Sequence, residues 1–192
     1  MSHAQVDRAP DVPALLGALA GHGVRGVLAG SVAARGYGAA LEPGDLDFVP
    51  ALDRANLERL AAMLVEVEAS IDGVVGVWTP QPSGEKKWVV TEESADVRAA
   101  RAAAWRPNPA DVATFDYLFR TKHGNFDTPP GICGTYEALI QRARRGRVAG
   151  HEVLVAHPED LLATLTATRR ARDPERVRML EAAARNGRAP GD

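Results

Sequence analysis

One stretch of this chain limits its possible folds more than any other: Val27 to Pro50, VLAGSVAARGYGAALEPGDLDFVP. An apolar run, Val27-Leu28-Ala29, breaks at Gly30-Ser31 into a short helix-compatible segment. A turn at Pro43-Gly44 leads into a second apolar run that carries Asp45 and Asp47. Side chains alternate along a strand, so Asp45 and Asp47 share one face while Leu46 and Phe48 take the other. An acid inside an apolar strand needs a partner, and two adjacent carboxylates repel unless positive charge lies between them. A hard divalent cation such as magnesium suits carboxylate oxygens. Gly30-Ser31, at a strand-to-helix junction, offers backbone N–H groups and a helix dipole to an anion, and glycine allows close approach. A phosphate cradle near an acidic pair points to chemistry on a nucleoside triphosphate.

The rest of the composition bounds this reading. A chain of 192 residues with 45% hydrophobic and 25% charged residues has the makeup of one globular domain with its own core. The formal net charge of −2 gives no global attraction to nucleic acid, so any such surface must be local. The single cysteine, Cys133, excludes an intrachain disulfide and fits a reducing cytoplasm, with Cys133 read as a small packing or loop residue. The N-terminal MSHAQVDRAP lacks an apolar signal core, and no apolar run is long enough to span a bilayer, so no membrane partner is expected.

In chain order, residues 1–10 read as a loose arm, 11–186 as a single domain and 187–192 as a frayed tail. Asp11 caps a first helix, with Leu15, Leu16 and Leu19 on its buried side. Val24–Ala29 and Asp45–Val49 read as strands, with a helix over Ser31–Tyr37 between them. Asp53 caps a helix to about Val67. Val74–Trp78 and Trp88–Thr91 are two strands around the polar loop TPQPSGEKK, and Ser94 caps a helix to about Ala104. A short helical turn at 109–112 precedes an aromatic strand over Thr114–Thr121, which forms a hairpin with Gly124–Thr128. From about residue 134 the reading is mainly helical: Tyr136–Arg145, Pro158–Thr168 and Pro174–Arg185 capped by Asp173. A short two-stranded element over Arg147–Val155 turns at Ala149-Gly150.

Gly30-Ser31 followed by Asp45-Leu46-Asp47-Phe48 resembles the signature of the nucleotidyltransferase-fold superfamily. That signature is a Gly-Ser or Gly-Gly, a spacer, then two acids flanking an apolar residue. Thr121, Gly124 and Asn125-Phe126-Asp127 resemble the place where bacterial relatives carry a third acid on a strand. Val153–Val155, Pro158 to Leu162, Arg170 and Asp173 resemble their C-terminal helices. Such relatives include the toxins of toxin–antitoxin pairs. The resemblance covers about residues 11–186. It implies an α+β fold, a small mixed sheet flanked by helices with a helical C-terminal part. By the same resemblance, Asp45, Asp47 and Asp127 hold two magnesium ions. Asp127 ligates the ion at the acceptor hydroxyl or acts as its base. Gly30 and Ser31 hold the β- and γ-phosphates of an NTP, and Arg35, one turn on, reaches the same phosphates. The implied reaction moves an NMP to an acceptor hydroxyl of a protein, a tRNA or a small molecule and releases pyrophosphate. A cognate antitoxin-like protein is an implied partner.

Other readings stand beside this one. Many relatives carry a lysine in the helix beginning near Pro158; this chain has Leu165 there, with Arg169 and Arg170 a turn later. That departure favours an inactive relative that binds a nucleotide or partner, and a plain protein-interaction module is a third reading. Asp127 could pair with Arg120 or Lys122 across its hairpin, and Asp116 competes as the third acid. Gly30-Ser31 alone fits a serine-capped turn. The run RARRGR, Arg142–Arg147, with Arg169, Arg170 and Arg172, suits an RNA-facing patch or, better, a solvated helix face. Trp78, Trp88 and Trp105 read as packing residues, and the histidines lack zinc-like spacing.

Overall fold

Several helices begin where a capping side chain stands ready. The computed structural model describes residues 9–80, 82, 86–128, 134–168, 174–186 and 189–191. The arm before residue 9, Cys133, Arg169, Arg170, Arg172, Asp173 and tail residues 187, 188 and 192 lie outside them, as do the side chains of Trp78, Trp88 and Leu165. Asp11 accepts from the Ala14 N–H at 3.1 Å and starts α1, Val12–Gly21. Asp53 accepts from Asn56 at 3.2 Å and starts α3, Arg54–Glu66. Ser94 accepts from Val97 at 3.3 Å and starts α4, Ala95–Ala104. Between the first two lie β1 (Gly26–Leu28), α2 (Gly30–Gly36) and β2 (Leu46–Pro50).

A separate antiparallel pair, β3 (Gly76–Pro80) and β4 (Lys86–Val90), follows α3. After α4 come a 3-10 turn at Val112–Phe115, β5 (Leu118–Thr121), β6 (Gly124–Asp127) and α5 (Tyr136–Leu139). The chain closes with β7 (Arg144–Val148), β8 (His151–Val155), α6 (Pro158–Thr168) and α7 (Pro174–Arg185). The fold is mixed α/β, with seven α-helices and a six-stranded sheet in the order β5-β6-β2-β1-β8-β7 among the described residues. Two of its seams are parallel, β2 with β6 and β1 with β8; the other three are antiparallel.

Register divides the sheet into two faces. The pairs Leu46↔Phe126, Leu28↔Phe48 and Leu28↔Val155 put these apolar residues on one side. All five are essentially buried. On that side α1 packs at Gly17 against His151, α2 packs at Gly36 against Val148, and α6 and α3 pack on α2 and α1. The opposite side carries Asp127, Asp47, Val49, Val27 and Leu154, and the short α5 packs over β1 there. The first edge, β5, is closed: Ser70 and Arg120 exchange backbone hydrogen bonds at 2.9 and 2.8 Å. No helix among the described residues is long and apolar enough to cross a membrane.

The structure corrects three expectations. The helix expected over Tyr136–Arg145 stops at Leu139, and Arg144–Val148 is a strand. Five register pairs with β8 outweigh a helical propensity that has little apolar surface to bury. The C-terminal part keeps three helices, α5, α6 and α7, and its two strands join the main sheet. The basic run lies on an edge strand rather than a helix face. The aromatic strand begins at Leu118 rather than Thr114, because Asp111 accepts from Ala113 and the Thr114 hydroxyl donates to Asp111 O, which winds Val112–Phe115 into a turn. Asp45 stands just before β2 rather than within it.

Asn56 joins β1 to α3. Its side chain is 0% exposed, accepts from Arg25 N at 2.7 Å and donates to the carbonyls of Arg25 and Ala51, each at 2.8 Å. Asn56→Ala strips Arg25 N and the Ala51 carbonyl of these partners, while the Arg25 carbonyl keeps the Ala51 N–H at 3.0 Å, and should cost about 2–3 kcal/mol. Thermal unfolding followed by circular dichroism should show Tm lower by roughly 4–12 °C. A drop below about 1 °C would show that the bracket does not hold the strand.

Candidate metal centre

The parallel seam between β2 and β6 sets Asp47 directly opposite Asp127. Asp45, two residues earlier, leans to the same side. One carboxylate oxygen from each of Asp45, Asp47 and Asp127 can be chosen so that all lie within 4.8 Å of one another. Each of the three residues is partly buried. The bland alternatives for Asp127 are not what forms. Its cross-strand neighbour is Leu118, while Arg120 faces Asn125 and donates to its Oδ1 at 2.9 Å. Lys122 lies 3.9 Å from Glu68 and donates to the Glu66 carbonyl at 2.8 Å.

Gly30 completes the arrangement in a way its sequence position did not reveal. Its φ is +61°, a left-handed conformation that suits glycine. A Cβ built there would sit 1.7 Å from Asp47 Oδ2. The close approach that glycine permits here is therefore to the acid itself. The Ala29 N–H donates to the Asp47 carbonyl at 2.9 Å, so the turn after β1 is pinned to the same residue. Ser31 is not a helix cap: Ala29 holds the cap position, and Ser31 lies inside α2, 7% exposed. Arg35 is exposed in the last turn of α2, about 7 Å up the helix axis from Gly30.

Asn125 is a positioning residue that the sequence reading left without a role. It is 6% exposed, and its Nδ2 donates to the Gly44 carbonyl at 3.1 Å, tying the turn before Asp45 to the strand that carries Asp127. Its place two residues before Asp127, on the same side of β6, was the available signal.

Electrostatics match this crowding. Burial first, then the charges of Asp47, Asp45 and Asp116, push the Asp127 carboxyl well above the ordinary carboxylate range; a hydrogen bond from the Thr128 backbone works the other way. Asp116 is raised by its own partial burial. The three acids thus form a proton-holding, cation-seeking cluster. Three carboxylates with oxygen donors alone suit a hard divalent ion, so this donor set could hold a metal.

No protein-family model matches the chain, and no curated protein or solved structure matches it either.

Two predictions come from this geometry. Gly30→Ala should destabilise the fold by about 2 kcal/mol or more, and by clearly less in an Asp47→Ala background, where no carboxylate opposes the new methyl. Urea unfolding of the four proteins in this cycle gives the coupling, and strictly additive effects would contradict the contact.

The second concerns manganese and pH. Without metal, Asp127 binds its proton more tightly folded than unfolded. Its contribution to stability is therefore greatest at low pH. It declines as pH rises from the ordinary carboxylate range through the raised value of Asp127. A cation competes with that proton, so metal-induced stabilisation should grow across the same window. Manganese at about 100 times its dissociation constant should add about 2.7 kcal/mol, read as a rise in Tm. Asp127→Asn should raise the metal-free Tm at neutral pH and remove most of the manganese increment. A manganese shift of equal size in Asp127→Asn would exclude this centre.

Proposed function

We propose that the chain is a nucleotidyltransferase-like enzyme that moves a nucleoside monophosphate from a triphosphate to an acceptor hydroxyl, with release of pyrophosphate. The observation that carries this reading is the register pair Asp47↔Asp127 with Asp45 in reach, set against a glycine that lets Asp47 approach closely. Asp45, Asp47 and Asp127 would hold magnesium. Bound there, it would supply charge neutralisation for the phosphates and for the oxygen that attacks.

This chain's own residues would do the rest. The first residues of α2, Gly30 and Ser31, follow directly on the turn pinned to Asp47, so phosphates lying there would meet the start of a helix beside the acids. An Asp127 carboxylate oxygen, with its raised proton affinity, is suited to take the proton of the acceptor hydroxyl. Positioning and fixed charge would supply most of the rate. The sequence departure at Leu165 favours the second reading, nucleotide binding without turnover.

Incubation with each α-labelled triphosphate, magnesium, and total tRNA or cell protein tests both readings. Transfer of label that falls roughly 10²–10³-fold in Asp47→Asn is the expected result. Metal-dependent nucleotide binding with no transfer selects the second reading. Transfer unaffected by Asp47→Asn, or no nucleotide binding, overturns the proposal.

A further inference from the structure

The basic run is the one motif that the proposed reaction leaves unused. Its strand, β7, is the outer strand of the sheet, and alternation places Arg145 and Arg147 on one side. The pairs Arg145↔Leu154 and Arg147↔Glu152 assign that side. Leu28↔Val155 and Leu28↔Phe48 place Arg144 with the buried apolar face, so Arg145 and Arg147 share the face of Asp47 and Asp127. There they border a groove of about 390 Å³, lined also by Gly146, Glu152, Val153 and Leu154.

The neighbouring basic residues are engaged: Arg142 with Glu159 and Asp160, and Arg144 with His157 at 3.0 Å. Arg145 and Arg147 are exposed, and neither guanidinium has a hydrogen bond or ion pair among the described residues. Two unengaged guanidiniums against the single carboxylate of Glu152 leave the groove net positive.

We infer that this groove binds the phosphodiester backbone of single-stranded RNA, which would make RNA the acceptor class. The step from binding to acceptor rests on the proposed function; the binding itself does not. Arginines two apart on a strand have Cα atoms roughly 6.5–7 Å apart, a spacing suited to successive phosphates of an extended strand. Each guanidinium is a planar fork that matches phosphate oxygens. The groove is lined by residues of both β7 and β8 rather than by the outer edge of β7 alone. A ligand therefore lies across the sheet face, where an added peptide strand would not. Three strand spacings, roughly 14 Å, separate β7 from β2, and α5 lies over β1 between them, so an RNA held in the groove would pass beside α5 to reach the acids. Among the described residues no aromatic side chain lines the groove, so recognition would be of backbone rather than base.

Fluorescence anisotropy with a short labelled oligouridylate, in EDTA, between about 50 and 200 mM salt tests the inference. The full chain should bind, and affinity should fall roughly tenfold for each of Arg145→Gln and Arg147→Gln. The double variant should lose about 1.4 from the log–log salt slope, at about 0.7 per contact. Glu152→Gln should tighten binding. No binding by the native chain, or equal binding by the double variant, overturns the inference. So does displacement of the RNA by polyglutamate at lower concentration than by unlabelled oligouridylate, which would assign the groove to an acidic protein. Because the manganese effect on Tm is measured separately on the same protein, failure here leaves the acidic centre standing, and failure there leaves this binding standing.

Discussion

Three carboxylates brought within 4.8 Å of one another push apart, and the sheet has to hold them against that force. The restraint comes from a parallel seam, which a short turn cannot make. Between Pro50 and Gly124 the chain travels through α3, the β3–β4 pair, α4 and β5 before it returns beside β2. What anchors the return is apolar. Phe126 stacks on Phe119 at 6.1 Å between ring centroids, and Phe119 meets Trp105 at 5.3 Å. Both phenylalanines are fully buried on the opposite side of the sheet from the acids. Hydrophobic burial on one face thus offsets electrostatic cost on the other. The raised proton affinity of Asp127 is the residue of that conflict in the metal-free protein.

The two faces divide the labour of the sheet. Helices cover one of them, and the side chains beneath them decide whether the chain folds. Over the middle of the other lie α5 and the turn at Val112–Phe115. Acids sit toward one strand group on this second face and arginines toward the outer strand at its other side. Charges of opposite sign set apart on one face give that face two electrostatically distinct patches.

Much of this was legible in the residues themselves. Asp11, Asp53 and Ser94 announced helix starts because a cap is a local device that needs no distant partner. The pairing of Asp45 with Asp47 followed from alternation alone. Asp127 was reachable only through resemblance, since nothing local says that β6 lies parallel to β2. The run after Tyr136 was misread because its helical propensity was weighed without the strand it would meet: Arg144–Val148 is extended because β8 is there. Gly30 was read only for a phosphate; its close approach to Asp47, 17 positions on in sequence, carries no local signal. Asn125 was passed over because a lone asparagine has no pattern.

That asparagine changes how the centre can come apart. It belongs to the strand of Asp127 and grips the turn that leads to Asp45, while Asp47 is bound in register to Asp127 across the same seam. The trio is therefore not assembled from independently moving pieces. Any fluctuation that unzips β2 from β6 parts Asp127 from Asp45 and Asp47 in one motion and leaves only a two-carboxylate pair on the β2 side. Such a centre behaves as a clasp, whole or open, and a cation seated in it would act as a rivet through the middle of the sheet.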